Sequence, residues 1–363
     1  MPNAESLALD RSLDLYERAK KVFPGGVNAS ARLNRALGHP LFMDHGQGAY
    51  VYDVDGHRLI DYCISHGASF LGHANPAVAA AVQQVLTNGG LLSYETELQV
   101  RVAEELLSLF PGHDLLRYAC SGTEATWHAL RVARAYTGKC GVVKFEGHYH
   151  GVNDTVGYSH WPSLDKAGPA DAPVPVPDSA GIPASNDQLI RILPFNDVAA
   201  LEKCLRANTG FLAAVIMEPI NYDSGGIRPT PEFLEAVRSL TRELGIVLIF
   251  DEVLSSFRVR RGAALGDACI PDMTVLGKAV GGGMPVSVFM GKREIMNMCT
   301  PVGPAMNSGT YNAPPVLVAG ISAMLAETAR PGFYEHLNAV GERLYTGMRD
   351  IFERRDIVAW VQG

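Results

Sequence analysis

The sequence has no CxxC pair; its six cysteines (Cys63, Cys120, Cys140, Cys204, Cys269, Cys299) stand singly. So few scattered thiols in a chain of this length read as a reduced, cytoplasmic protein, with neither a cysteine zinc site nor a disulfide framework expected. Charge is scarce too, at 19% of residues against a usual ~25%. It leans acidic, with 31 Lys and Arg against 38 Asp and Glu, so nucleic acid and anionic membrane surfaces are excluded as charge-held partners. No apolar run approaches the ~20 residues of a membrane span. The first 21 residues lack the apolar core of a secretory signal and read as an amphipathic helix. No GxGxxG follows a strand, and no GxxxxGK with Ser or Thr precedes an acid. A dinucleotide site and an ATPase site therefore each lack a required part. What is plentiful is glycine (37) and proline (22) beside 47% hydrophobic residues. That combination implies a large interior with many tight turns, and the 363 residues suggest two domains on a prior of roughly 150 residues each.

Alternation through Tyr50, Tyr52 and Val54, then Asp55-Gly56, then Leu59 and Asp61 predicts a hairpin within Leu41–Tyr62, outside any main sheet. Helical spacing follows near Pro76–Leu86 and over Glu95–Phe110, the latter through Leu98, Val102, Leu106 and Leu109. From Leu115 the texture changes. Short apolar runs (LLRYAC, GVVKF, FLAAVIM, IVLIF, MTVL) alternate with helical segments through Ala125–Tyr136 and PEFLEAVRSLTRELG. The pattern is that of an α/β domain whose parallel sheet is covered on both faces. Asn153–Asn186, rich in Pro, Gly and Ser, is expected to be a long irregular loop, either a lid or a surface excursion.

Parallel sheets bind ligands beyond the carboxyl ends of their strands, so the residues after each run carry the functional reading. LLRYAC is followed by Ser121-Gly122-Thr123 opening a helix, either an ordinary N-cap or a phosphate seat. GVVKF is followed by Glu146-Gly147-His148-Tyr149-His150-Gly151. No third metal ligand accompanies the two histidines, and a ring stacked on a planar ligand suits these positions. IVLIF runs into Asp251-Glu252-Val253, and an acid ending an apolar strand needs a cation or donors. Across Met273–Gly291, Lys278 is the one charged side chain, between a strand and three glycines. An apolar pocket destabilises a lysine ammonium, the condition for Schiff-base chemistry with a carbonyl; a lysine snorkelling from a strand end is the plainer alternative. A phosphate seat, a stacking ring, a buried acid and an isolated lysine at successive strand ends are together the parts that hold pyridoxal 5′-phosphate (PLP).

On this footing the chain resembles the class III (subgroup II) PLP-dependent aminotransferases, and within them the glutamate-1-semialdehyde 2,1-aminomutase branch. The likeness rests on FPGGVN (Phe23–Asn28), YDVDGHRLIDY (Tyr52–Tyr62), LGHANP (Leu71–Pro76), SGTEA (Ser121–Ala125), KFEGHYHG (Lys144–Gly151), MEP (Met217–Pro219), IFDEV (Ile249–Val253), PDMTVLGKAVGGGMPV (Pro271–Val286) and SGTYN (Ser308–Asn312). It implies PLP fold type I, of the aspartate aminotransferase kind, with a large domain around a mainly parallel sheet and a small domain from the chain's two ends. It further implies that Lys278 and Asp251 are catalytic, Lys278 holding the cofactor and Asp251 pairing with its ring nitrogen. Val253 and Tyr149 would flank the ring, with His150 and Glu218 beside them. Ser121, Gly122 and Thr123 would hold the phosphate, completed by Thr310 of a second subunit, and Arg32 would bind a substrate carboxylate. Asp223 stands where the aminomutases typically have an asparagine, or Asn221 does if the transaminases' spacing after Glu218-Pro219 is followed.

The expected activity is amino-group transfer between a small-molecule amino donor and a carbonyl acceptor, in a homodimer with a shared active site. The alternative is the intramolecular transfer of an aminomutase, giving 5-aminolevulinate. The expected division is an N-terminal segment (1–65), a large PLP-binding domain (66–315) and the start of a C-terminal domain (316–363). Within the last, a helix over Phe333–Arg354 leads to DIVAWVQG, which reads as a first strand, and an apolar surface is expected where the rest of that domain would dock.

Overall fold

Alternate residues of each apolar run point to opposite faces of a sheet, and both faces of the main sheet are covered. In a computed structural model, which describes residues 8–362, the runs form strands β4 (Leu115–Ala119), β5 (Gly141–Phe145), β6 (Ile190–Leu193), β7 (Leu212–Met217), β8 (Val247–Glu252), β9 (Met273–Leu276) and β10 (Ser287–Gly291). Along β8, Val247 and Ile249 join the core beneath helix α4 (Gly122–Thr137). Leu248 and Phe250 join the opposite core, beneath α5 (Val198–Ala207) and α6 (Pro231–Glu243). Each such side chain contributes roughly 1.5–3 kcal/mol on leaving water.

The seven strands lie in the order β4-β10-β9-β8-β7-β5-β6. All run parallel except β10, which is antiparallel to both β4 and β9. Two successive reversals leave β4 pointing the same way as β9. The carboxyl ends of β4, β5, β7, β8 and β9 thus share one edge, joined there by the start of β10.

The predicted hairpin is a three-stranded antiparallel sheet, β1 (Met43–Gln47), β2 (Tyr50–Asp53) and β3 (Arg58–Ile60), turning at Gly56 with φ +93°. The Asp55 carboxylate in that turn accepts the Arg11 and Ser12 backbone N–H groups and the Ser12 hydroxyl, capping α1 (Asp10–Ala19). The predicted N-terminal helix is thereby tied to the hairpin; residues 1–7 of that prediction lie outside the described residues. Helices α2 (Pro76–Thr87) and α3 (Glu97–Ser108) occupy the expected segments, α3 opened by a capping box of Thr96 and Gln99. Short α7 (Arg293–Met296) follows β10. Helix α8 (Pro315–Thr328) buries Val318, Ile321, Met324 and Leu325 in the core shared with α3 and β10.

The 153–186 segment is irregular, as expected, but its start is interior. Val156, Tyr158 and Ser159 are buried. The fully buried Lys144 of β5 donates its ammonium to the Val156 and Tyr158 carbonyls, and burial lowers its pKa to about 8. Helix α9 (Phe333–Arg354) buries no side chain and leaves Val340, Leu344, Met348 and Ile351 exposed along one stripe. The strand expected in DIVAWVQG is not formed: residues 357–362 find no neighbouring strand to pair with, and Val358 and Trp360 are exposed. No helix among the described residues is long and apolar enough to cross a membrane.

Candidate active site

The shared edge of the sheet encloses a cavity of about 250 Å³ whose lining includes Ser121, Gly122, Thr123, Tyr149, His150, Glu218, Asp251, Val253 and Lys278. Nine of the eleven predicted site residues thus meet in one place. Each arrives by the same route, as the first residues past an apolar strand.

From β4, the chain turns at Cys120 into α4. Ser121 is the N-cap, its hydroxyl oxygen accepting the Glu124 N–H at 3.2 Å, while Glu124 reaches back to accept the Cys120 N–H at 2.8 Å. The first N–H groups of a helix have no partner within it; here those of Gly122 and Thr123 open on the cavity, at the positive end of a 16-residue helix. Gly151, after β5, approaches this turn so closely that an added Cβ would lie 2.4 Å from Thr123 Oγ1. Its φ of +89° also favours glycine.

Asp251, at the end of β8, is buried and held on both oxygens. Oδ2 accepts His150 Nδ1–H at 2.8 Å and Oδ1 accepts the Val253 N–H at 3.0 Å. Burial holds His150 below the usual histidine range, against the pull of Asp251, so the imidazole is neutral with its proton on Nδ1. Its buried Nε2 has no partner in the protein. His148, two residues earlier, does something different: its Nδ1 accepts the Glu218 N–H at 3.0 Å and its ring meets Phe195 edge-on. Glu218 accepts the Tyr149 N–H at 2.7 Å. Burial first, and the nearby Asp251 second, raise its carboxyl well above the ordinary range, favouring the protonated form.

Lys278 opens a short 3-10 turn after β9 with φ +44°, an unusual conformation for a side-chain-bearing residue and of the kind found at functional sites. It is half-buried and makes no ion pair or hydrogen bond among the described residues. The sequence predicts an apolar pocket around it, and the lining does include Val253, Leu254, Met284, Pro285 and Val286; three acids, Asp223, Glu218 and Asp251, line the same cavity.

Two predicted residues lie elsewhere. Arg32 is exposed in a separate groove with Phe23, Asn28 and His66. Ser65 and His66 line the groove, and Ala68, close by in sequence, lines the cavity. Thr310 lies in another open groove, beside Tyr94 and Asn307, and is not in the lining of the Lys278 cavity. Sequence reasoning gave no site role to Asp223, which lines the cavity, or to His160 beside it. Asp223, in the loop after β7, has Oδ2 3.7 Å from His160 Nε2, and His160 packs on the Tyr149 ring at 4.7 Å and on Trp161 at 4.4 Å. The replacement of a family asparagine pointed to Asp223; no local pattern marks His160.

Glu252, directly behind Asp251, faces the interior. It accepts the Ala264 N–H at 2.8 Å and the Ser255 hydroxyl at 3.4 Å, and burial raises its pKa from the ordinary 4.5 to about 7. An acid with a raised folded-state pKa costs nothing below its unfolded pKa. The penalty grows as pH climbs toward 7 and is complete above it, amounting to roughly 3 kcal/mol. Glu252→Gln keeps the acceptor for Ala264 and removes the charge. Urea unfolding is expected to show the variant more stable than the parent at pH 9 by that order and equal to it at pH 4.5. An unchanged difference across that range would show that Glu252 does not titrate there.

The residues suit PLP. A phosphate finds helix N–H donors and a close glycine turn, a protonated ring nitrogen finds a fixed carboxylate, and an aldehyde finds an unpaired amine. Comparison with known proteins agrees. The family model described as Aminotransferase class-III matches residues 33–363. The glutamate-1-semialdehyde 2,1-aminomutase of Pyrobaculum calidifontis is 44% identical over 346 residues, covering 95% of this chain and 77% of that protein. Among solved structures, an ω-transaminase from Sphaerobacter thermophilus superposes with a TM-score of 0.88 at 36% identity, over 94% of this chain and 78% of that one. A transaminase with PLP bound gives a TM-score of 0.89 at 31% identity, over 97% and 81%.

Proposed function

This chain belongs to the class-III aminotransferases, PLP enzymes acting on small molecules, and from that premise we propose that the Lys278 cavity is where an amine and a carbonyl compound exchange an amino group. The observation that carries the reading is the unpaired Lys278 amine in one cavity with the doubly held Asp251 and the open N-terminus of α4.

When bound, PLP supplies an aldehyde that takes up an amine and a ring that draws electrons from the substrate carbon. The protein's part is to hold and to move protons. Gly122 and Thr123 offer backbone N–H groups and Ser121 a hydroxyl proton to the phosphate. Asp251, anchored by His150 and Val253, keeps a proton on the ring nitrogen. Val253 and Tyr149 would flank the ring, with His150 and Glu218 supporting them. Lys278 anchors the cofactor, and its Nζ takes up and returns the proton of the reacting carbon. Arg32, from its own groove, takes a substrate carboxylate as a bidentate fork.

A homodimer completes the site. Thr310 stands apart from its own chain's cavity, among Asn307 and Asn312, whose buried Nδ2 and Oδ1 lack partners, and in our reading it closes the phosphate seat of a second subunit. A cytoplasmic location accords with six unpaired cysteines. We place the first division at 65 and, because α8 packs into the core of the middle unit, the second after α8 at Thr328 and not at 315.

The purified protein is expected to be yellow with PLP, and borohydride followed by peptide mass analysis is expected to fix the cofactor on Lys278. A protein that stays colourless when PLP is added would end the proposal. The identity to the Pyrobaculum protein favours a second reading, an aminomutase. Glutamate 1-semialdehyde offered alone separates the two: isomerisation without an added amino acceptor marks the mutase, and the need for one marks the transferase.

A further inference from the structure

Just before α2 the chain makes a turn that side-chain-bearing residues rarely make. Ile64, Ser65 and His66 have φ of +41°, +55° and +52°, and Gly67 continues at +87°. Left-handed conformations are ordinarily visited by single residues, and for a β-branched side chain such as Ile64 one is an outlier. Such backbone persists only where its surroundings over-determine it, and it gathers at functional sites. This turn lies at one. Ser65 and His66 line the Arg32 groove and Ala68 lines the Lys278 cavity. The Gly67 carbonyl accepts the Arg258 guanidinium, which also donates to the carbonyl of Leu254, itself in the cavity lining.

What holds the turn is Asp61. Its Oδ1 accepts the Cys63 and Ile64 N–H groups at 2.9 and 3.0 Å, and its Oδ2 accepts His73 Nε2–H at 2.6 Å. Burial works against the charge of this carboxylate, yet the His73 bond and the two backbone bonds keep it below the ordinary range. His73 is fixed in its turn. Its backbone exchanges hydrogen bonds with Gly48 in both directions, at 2.8 and 2.9 Å, and its ring lies against Gly46, where an added Cβ would fall 2.6 Å from Cγ. The Asp61 N–H donates to the Ala49 carbonyl at 2.9 Å. The small antiparallel sheet thus grips the start of the turn through one carboxylate. These partners all belong to one chain and the Asp61 side chain is 12% exposed, so the clamp is complete before a second subunit adds anything.

We propose, on the amino-transfer reading above, that Asp61 is a positioning residue for the reaction: held by His73, it fixes the left-handed turn Ile64–Gly67 and thereby the placement of Ser65 and His66 in the groove and of Ala68 in the cavity. Asp61 itself lines neither space.

Asp61→Ala in the PLP-loaded enzyme tests this. Amide hydrogen exchange, which requires no turnover, is expected to speed at Cys63 and Ile64 and also at Gly67, Ala68 and Ser69, whose N–H groups bond within the turn and not to Asp61. In the half-reaction with glutamate 1-semialdehyde, followed by the cofactor's absorbance, kcat/KM is expected to fall about 10²-fold, while borohydride still fixes PLP on Lys278 to the parent's extent. A residue that only stabilised the fold would lower the unfolding midpoint and leave kcat/KM of the loaded enzyme unchanged. Asp61→Asn keeps an oxygen for the Cys63 and Ile64 N–H groups and is expected to recover most of the loss. His73→Ala, which frees Oδ2 alone, is expected to fall between the two, and it reads the same quantities if Asp61→Ala does not fold. A loaded variant with the parent's kcat/KM overturns the inference, as does faster exchange confined to Cys63 and Ile64. Either result leaves the amino-transfer reading standing, whereas a parent protein that takes up no PLP overturns both.

Discussion

Lys278→Ala is expected to lower kcat by at least ~10³-fold while leaving the fold intact. The lysine makes no ion pair or hydrogen bond that folding depends on, and its strained φ of +44° is no worse tolerated by alanine. Two functions disappear at once: the anchoring of the cofactor and the proton carrier at the reacting carbon. Because both depend on one amine, the loss is not the sum of two smaller ones. Borohydride is expected to leave no cofactor mass on the variant's peptides, while circular dichroism and unfolding midpoints match the parent. Added methylamine or ethylamine, small enough for a cavity of about 250 Å³, should restore part of the rate. A variant that kept a tenth of the parent's turnover would remove Lys278 from the mechanism.

The second large effect belongs to Asp251→Asn. The replacement has the same shape, yet it exchanges an acceptor-only group for one that must donate on one side. Val253 N–H can still be accepted by the amide oxygen. His150 then faces an NH₂ group and must move its proton from Nδ1 to Nε2, which has room for the change because Nε2 has no protein partner. The structure therefore absorbs the substitution at a cost of about 1–2 kcal/mol. The site does not, because the fixed negative charge opposite the ring nitrogen is gone. A loss of roughly 10³-fold in kcat is expected, with weaker PLP retention on dialysis. Asp251→Glu should not rescue it, since the longer arm breaks both anchoring bonds. Activity within tenfold of the parent would show that this carboxylate is structural.

Much of the site was legible because apolar strands leave a sharp boundary. Ser121, Asp251 and Lys278 were found as polar residues set directly after such runs, and the parallel sheet then delivered them to one edge. The strands themselves were read unevenly. β6 and β10 escaped because Ile190–Leu193 is only four residues and Ser287–Gly291 follows a glycine-rich turn, so neither stood out from its surroundings. Missing β10 also concealed the one antiparallel strand, on which the shared edge depends. The presence of Asp223 in the Lys278 wall was hidden for another reason. Asp223 and His160 come from loops 63 positions apart, and no periodicity within either segment announces their meeting. Lys144 shows the same limit. Nothing in GVVKF marks its lysine as interior, yet Lys144 is fully buried and fastens the start of the Pro-, Gly- and Ser-rich loop.

The position of β10 also governs when this site can come into being. Strand β4 is at the sheet's edge and its one strand partner is β10, with Leu115 set against Gly291. Everything from β5 to β9 can pair as it leaves the ribosome, whereas β4 must wait for a strand made far later in the chain, and such distant pairings close slowly. The acid and the lysine are thus in register before the turn into α4 is fixed beside them. PLP added during refolding should accordingly bind at a late stage, with the return of its colour tracking the docking of β4 rather than the first growth of secondary structure.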